Sequence, residues 1–157
     1  MCIRDSYWHR ERRTIDTTWD THSRNFYELK DRLMPSVDRP IAALLEDLEN
    51  AGLLEETLVV WNSEFGRTPM AQGSGRDHHM KGFSFWLAGG GIMPGNFVGE
   101  TDECGFGAID QECLGHDLHA TVMHLLGLDH KRLTFRFQGR DFRLTDVHGN
   151  VIHDALV

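Results

Sequence analysis

The chain has 157 residues, with 16 Lys and Arg against 24 Asp and Glu, which gives a formal net charge of −8. A soluble domain of this size can bury a core of its own. The acidic balance and the lack of a basic run argue against a nucleic-acid partner, because phosphate contacts need a surplus of Lys and Arg on one face. No apolar stretch approaches the ~20 residues of a bilayer span, and no export signal is visible, so we expect no membrane span.

Residues 1–13 show neither helical nor strand periodicity, and we interpret them as a poorly specified leader before a single domain over 14–157. The β-branched residues of Thr14 to Trp19 predict a short strand that ends at Asp20. Three scattered cysteines do not indicate a disulfide framework.

A long amphipathic helix is predicted from Asn25 to Asn50, where apolar residues recur at intervals of three and four. Pro35 and Pro40 predict a break or kink near 34–40, because proline removes a backbone donor and clashes with the preceding turn. Asn50-Ala51-Gly52 predicts the end of the helix.

Two continuous apolar runs, Thr57–Trp61 and Phe83–Ala88, have the length and character of strands buried on both faces of a parallel sheet. Gly89-Gly90-Gly91 then predicts a tight turn. Alternation of helix and buried strand predicts an α/β fold, a mostly parallel sheet flanked by helices. Functional residues are then expected in the loops at the carboxyl ends of the strands.

The last third of the chain contains a helix and short strands. Asp117 is expected to cap a helix that ends at Gly127. His148-Gly149-Asn150 predicts a hairpin turn between strands 142–145 and 151–152.

Acidic and histidine side chains follow the predicted strands. If strands 14–19 and 57–62 are neighbours in a parallel sheet, their ends lie roughly 5–10 Å apart, at ~4.8 Å for each strand step. Asp20, His22 and Glu64 can then reach one divalent ion, with His78 as a fourth ligand and His79 as the alternative to it. Carboxylate and imidazole suit zinc, manganese or iron. Taken singly, Asp20 is also consistent with a helix cap, His22 with a surface imidazole and Glu64 with a solvated carboxylate.

Two arginines, Arg67 and Arg76, flank the same region and are candidates for holding an anionic substrate group, with a structural ion pair to Asp77 or Glu64 as the alternative. His116 and His119 are weaker ligand candidates at the start of a helix. No Ser, Thr or Cys stands in an elbow-like Gly-x-Ser-x-Gly context, so the sequence identifies no nucleophile.

Six short motifs occur in order from about residue 14 to the C-terminus. They are Trp19-Asp-Thr-His22, Ser63-Glu-Phe-Gly-Arg-Thr-Pro69, Gly75-Arg-Asp-His78, Trp86-Leu-Ala-Gly-Gly-Gly91, Gly99-Glu-Thr-Asp102 and His116-Asp-Leu-His-Ala-Thr121.

Together these motifs resemble the bacterial domain-of-unknown-function family numbered 1501, which looks like a sulfatase-like branch of the alkaline phosphatase superfamily. The resemblance implies an alkaline-phosphatase-like fold and a divalent metal site with zinc, manganese or calcium. Asp20 and His22 fall where those enzymes place an Asp and a His of one metal site, and His78 falls near a later His ligand. In the Ser-Asp-His-Gly turn of that superfamily, Glu64 replaces the Asp and Phe65 replaces the His, so one imidazole ligand is missing.

The resemblance also implies a longer parent protein, periplasmic or secreted, with the nucleophile in an N-terminal half. We therefore expect the chain to be the C-terminal portion of a hydrolase of phosphate or sulfate esters, inactive alone and dependent on that half. Its substrate would be a small anionic ester or a sulfated or phosphorylated glycan. The alternative is a non-catalytic metal-binding or interaction module derived from such a hydrolase.

Overall fold

A computed structural model describes residues 19–157 and shows a mixed fold of helices and short antiparallel strand pairs. The helices are α1 (Asn25–Glu28), α2 (Met34–Asn50) and α3 (Gly115–Leu125). The strands are β1 (Val59–Trp61), β2 (Gly66–Arg67), β3 (His78–His79), β4 (Trp86–Ala88), β5 (Glu100–Thr101), β6 (Ala108–Asp110), β7 (Thr134–Phe137) and β8 (Arg140–Arg143).

The helix predicted over residues 25–50 is confirmed, but its irregularity precedes the prolines. α1 and α2 are joined by a π-helical turn at Leu29–Leu33, and the chain stays helical through 34–40. Pro35 lies in the first turn of α2, where its missing N–H is tolerated. Pro40 lies inside α2 without ending it. The predicted stop is confirmed, since Gly52 follows the helix with φ of 64°.

The predicted parallel sheet is not found among residues 19–157, where the four two-stranded sheets all pair antiparallel: β1 with β4, β2 with β3, β5 with β6 and β7 with β8. An apolar run favours a strand but does not choose the direction of its partner. Val60 and Trp61 of β1 are exposed, so the expectation of burial on both faces was also wrong here. The other strand of the predicted pair, 14–19, lies almost entirely outside the described residues.

The prediction of a hairpin turn at His148-Gly149-Asn150 is wrong, because the C-terminal hairpin lies earlier in the chain. It joins β7 to β8 through Gln138-Gly139, whose φ angles are 48° and 81°. Positive φ at both central residues is the requirement of a type I′ turn, which matches the twist of the flanking strands. His148-Gly149-Asn150 instead forms part of a loop that packs beside the N-terminus of α3.

The buried apolar residues of the described chain centre on α3. Leu118, Ala120 and Met123 of this helix are buried, and Leu33 is buried at the end of the π-helical turn. Asp117 is the third residue of α3 rather than its cap. Its carboxylate accepts the backbone N–H of Leu114, the residue before the helix, at 2.8 Å, and so satisfies a donor at the helix start as a capping residue would.

No helix of the described residues combines the length and the apolar character that a bilayer crossing needs.

Candidate metal centre

The candidate site is built by two backbone segments that lie against each other. One is the loop 19–22, and the other is the hairpin of β2 and β3, in which Arg67 pairs with His78. The two segments approach so closely at Gly75 that a Cβ there would lie 2.0 Å from the carbonyl oxygen of His22. Only a residue without a side chain fits this contact. The contact brings residues separated by more than fifty positions into one cluster.

Asp20, His22 and His78 converge in this cluster, as the sequence predicts. The Nε2 atoms of His22 and His78 are 3.1 Å apart. Oδ1 of Asp20 lies 3.1 Å from Nε2 of His22 and 2.8 Å from Nε2 of His78. Three donor atoms thus form a nearly equilateral triangle at a partly exposed position.

The donor set and its spacing fit a divalent ion. Ligand atoms of a tetrahedral zinc with bonds of about 2.0–2.1 Å lie about 3.3–3.4 Å apart, slightly farther than the edges of this triangle. A small outward movement of the side chains would therefore bring the three atoms to bonding distances. Two imidazoles and one carboxylate with an open side also match the ligand set of catalytic zinc sites and of iron sites.

The neighbours of Asp20 strongly favour the ionised form of its carboxyl group. The contact with His78, followed by that with Arg67, lowers the pKa of the Asp20 carboxyl to about 2. Nη2 of Arg67 lies 2.6 Å from Oδ1 of Asp20. The carboxylate is therefore ionised, as a metal ligand must be, over the whole physiological range.

Arg67 joins the two segments of the site. Its guanidinium donates to the carbonyl oxygen of Trp19 at 3.0 Å and to that of Arg76 at 3.1 Å, in addition to the ion pair with Asp20. Only 18% of its side chain is exposed. These bonds occupy N–H groups of the guanidinium that would otherwise be available to an anionic substrate. Substrate binding by Arg67 stays a prediction.

Arg76 points away from the cluster. Its Nη1 donates to the carbonyl oxygens of Thr68 at 2.7 Å and Pro69 at 2.9 Å, and its guanidinium lies over the ring of Phe26 at 5.1 Å. Neither of the ion pairs weighed from the sequence, to Glu64 or Asp77, is among these contacts. The arrangement holds the β2–β3 hairpin together, and substrate binding by Arg76 stays a prediction.

Glu64 is exposed in the turn after β1 and is not part of the three-residue cluster. Its role as a fourth ligand stays a prediction. His79, the alternative to His78, instead places Nε2 3.2 Å from the carbonyl oxygen of Gly105. The structure therefore selects His78 for the cluster. Phe65 stacks on the His78 ring with centroids 3.8 Å apart and planes inclined by 20°.

The histidines near α3 form no comparable group. Both carboxylate oxygens of Asp117 accept hydrogen bonds, Oδ2 from the N–H of Leu114 and Oδ1 from the N–H of Asn150. His116 lies beside His148 with ring centroids 5.2 Å apart. Among the described residues, the group with ligand atoms close enough to share an ion is that of Asp20, His22 and His78.

Sequence reasoning gave Gly75 no role, considered Asp77 only as an ion-pair partner of the arginines, and noted Phe65 only as the replacement of an imidazole ligand. Gly75 and Asp77 belong to the quoted motif Gly75-Arg-Asp-His78, and their position next to His78 was the available signal. Gly75 makes the close backbone contact described above. The carboxylate of Asp77 lies 3.8 Å from Nδ1 of His22 and accepts the backbone N–H of His78 at 2.8 Å. The sequence gives no sign that Asp77 lies close to His22, which is 55 positions away.

The fold and the cluster together define a mixed α and β domain with a candidate mononuclear metal site of one carboxylate and two imidazoles. The chain belongs to the family described as "Protein of unknown function (DUF1501)", which matches residues 8–156. No curated protein matches the chain. No solved structure matches it either.

Proposed function

We propose that this chain carries the metal site of a hydrolase that cleaves phosphate or sulfate esters with a divalent ion, within an alkaline-phosphatase-like fold. The observation that carries the proposal is the convergence of Asp20, His22 and His78, whose donor atoms lie 2.8–3.1 Å apart. A divalent ion held there would supply Lewis-acid polarisation of the ester oxygen and a lowered pKa of bound water. Zinc, manganese and calcium are the candidate ions.

In this proposal the residues of this chain bind the metal ion and keep its ligands in place. Asp20, His22 and His78 hold the ion, and Glu64 is the proposed fourth ligand after a rearrangement of its turn. Arg67 keeps Asp20 in place through the 2.6 Å ion pair. The open side of the cluster, where His22 and His78 are more than one-third exposed, is the side from which an anionic ester or a sulfated or phosphorylated glycan would approach.

The nucleophile is proposed to come from an N-terminal part of a longer parent protein. Three hydroxyls close to the ligands in sequence are engaged locally: Thr21 donates to Asn25, Ser63 to the carbonyl oxygen of Phe65, and Thr68 to that of Met70. The exposed apolar side chains of β1 and β4 support a partner surface for that part. A periplasmic or secreted location of the parent belongs to the same proposal.

A metal titration tests the first half of the proposal on the 157-residue chain. Isothermal titration with Zn²⁺, Mn²⁺ and Ca²⁺ is expected to show binding of one ion, and EDTA is expected to reverse it. Replacement of Asp20, His22 or His78 by Ala is expected to weaken this binding by more than about 100-fold. Absence of binding by all three ions would refute the proposal.

Turnover tests the second half on the longer parent protein. Aryl phosphates and aryl sulfates are expected to be hydrolysed, with activity lost in EDTA and reduced by Glu64→Ala. An unchanged rate in EDTA would contradict a metal mechanism. Glu64→Gln is the matched variant, because it keeps the size of the side chain and removes the charge.

The second candidate function is a non-catalytic metal-binding or interaction module. The stacking of Phe65 on His78 favours it, because an apolar ring occupies one face of a ligand at a position where the superfamily pattern has an imidazole. Metal binding without turnover over a broad ester panel would select this alternative.

A further inference from the structure

The outer side of the cluster contains a carboxylate that does not belong to the ligand triangle. Oδ1 of Asp77 lies 3.8 Å from Nδ1 of His22, on the side of the ring opposite to Nε2. Nε2 is the atom that faces Asp20 and His78. The His22 imidazole is therefore placed between the carboxylate of Asp77 and the proposed ion position.

Two hydrogen bonds between the backbone of Asp77 and Thr68 fix the position of Asp77. Its carbonyl oxygen accepts the N–H of Thr68 at 2.9 Å, and its N–H donates to Oγ1 of Thr68 at 3.3 Å. The same carboxylate oxygen that faces His22 accepts the backbone N–H of His78 at 2.8 Å. One side chain thus contacts the segments of both imidazole ligands.

We propose that Asp77 is a positioning residue for the metal site: it attracts the Nδ1–H of His22 and thereby keeps the lone pair of Nε2 turned toward the ion. Carboxylate, imidazole and metal in series fix the tautomer and the orientation of a histidine ligand. The 3.8 Å distance is longer than a hydrogen bond, so a small rotation of either side chain completes the contact when the ion draws His22 into place. This inference rests on the proposed function, because it requires an ion at the cluster.

Two substitutions at Asp77 distinguish this positioning role from direct coordination of the metal. Asp77→Ala removes the acceptor and is expected to weaken Zn²⁺ binding by about 10- to 100-fold, the usual cost of losing such an outer partner. Asp77→Asn keeps a carbonyl oxygen for both His22 and His78, and is expected to restore most of the affinity. Asp38→Ala, which removes an exposed carboxylate from α2, is the control for the change in net charge and is expected to bind as the parent chain does.

The experiment is competitive Zn²⁺ titration of the 157-residue chain, with the visible spectrum of the Co²⁺ form as a second readout. In the Asp77 variants the Co²⁺ band positions are expected to stay as in the unsubstituted chain, because the ligand set is unchanged. Circular dichroism of each variant reports whether the fold is retained.

The outcomes are distinct. If the unsubstituted chain binds neither Zn²⁺ nor Co²⁺, the proposed function fails and the role of Asp77 fails with it. If the unsubstituted chain binds and Asp77→Ala binds equally well, the inference alone is overturned. Equal losses in Asp77→Ala and Asp77→Asn, together with shifted Co²⁺ bands, would make Asp77 a direct ligand and would also overturn it.

Discussion

Two of the Asp-x-His segments of this chain use that spacing in opposite ways. Asp20-Thr21-His22 lies on a loop, and its carboxylate and imidazole face each other and His78 across 2.8–3.1 Å. Asp117-Leu118-His119 lies in the first turn of α3, where Asp117 is 7% exposed and its oxygens accept the N–H groups of Leu114 and Asn150. His119 is exposed on the helix surface.

The difference is made by the backbone. In a helix, successive residues are rotated by about 100°, so residues two apart point to different sides. In an irregular loop the side chains are free of that rule, and a third segment can approach. The same residue types therefore produce a candidate metal site in one region and a structural hydrogen-bond centre in the other.

The largest expected effect is on metal affinity. His22→Ala is expected to weaken Zn²⁺ binding by more than about 100-fold, because the loss of a direct ligand exceeds the 10- to 100-fold cost of losing an outer partner. His119→Ala, the equivalent change in the second segment, is expected to leave affinity within about twofold. Isothermal titration of both variants makes the test, and equal affinities would break the comparison.

Asp117→Ala should act on stability instead. The N–H groups of Leu114 and Asn150 lose their acceptor, and we expect a loss of about 1–3 kcal/mol in the free energy of unfolding. Urea denaturation of the variant measures this loss. Zn²⁺ affinity measured at low temperature, where the variant is folded, is expected to be unchanged. A fall in affinity of tenfold or more would show that the two regions are coupled.

A smaller change in affinity is expected from Gly75→Ala. The new Cβ would lie 2.0 Å from the carbonyl oxygen of His22 and 2.6 Å from the backbone N of Ser23, so the two segments must separate. We expect Zn²⁺ affinity to fall about tenfold, as for a disturbed outer partner. Gly115→Ala is the matched control near α3, because a Cβ there meets no atom within 4 Å. Competitive titration compares the two variants.

The smallest effect concerns a third carboxylate. Asp102 accepts the backbone N–H groups of Cys104 at 2.9 Å, Phe106 at 3.1 Å and Gly107 at 2.9 Å. These bonds, the one from Phe106 first, lower the pKa of Asp102 below its ordinary value of 3.8. Its contribution to stability is therefore present above pH ~3.8 and is lost as the pH falls through the lowered pKa.

An NMR titration checks this. The amide protons of Cys104, Phe106 and Gly107 are expected to shift together with a midpoint below pH 3.8, and Asp102→Ala is expected to remove that transition. A midpoint at or above 3.8 would contradict the assignment.

Local chemistry allowed much of this to be predicted. The helix over 25–50, its end at Gly52 and the turn at Gly89–Gly91 follow from periodicity and glycine, which act over a few residues. The clustering of the candidate ligands Asp20, His22 and His78 was predicted from their positions after candidate strands. The family was recognised from motifs that include these residues.

The rest depended on contacts that are distant in sequence. The direction in which β1 pairs is decided by the path of residues 62–85, and apolar patterning does not contain that information. The engagement of Arg67 with Asp20 and with the carbonyl oxygen of Trp19 required the approach of loop 19–22 to the β2–β3 hairpin. The sequence could offer Arg67 as a cation near the site but could not choose its partner.

The ring of Phe65, stacked 3.8 Å from that of His78, has a magnetic consequence. The circulating electrons of an aromatic ring shield nuclei held above its face, so the carbon-bound protons of the His78 imidazole should resonate upfield of those of the other histidines. Their signals would then be resolved without isotope labelling, and their displacement on adding Zn²⁺ would follow occupation of the cluster from within one ligand.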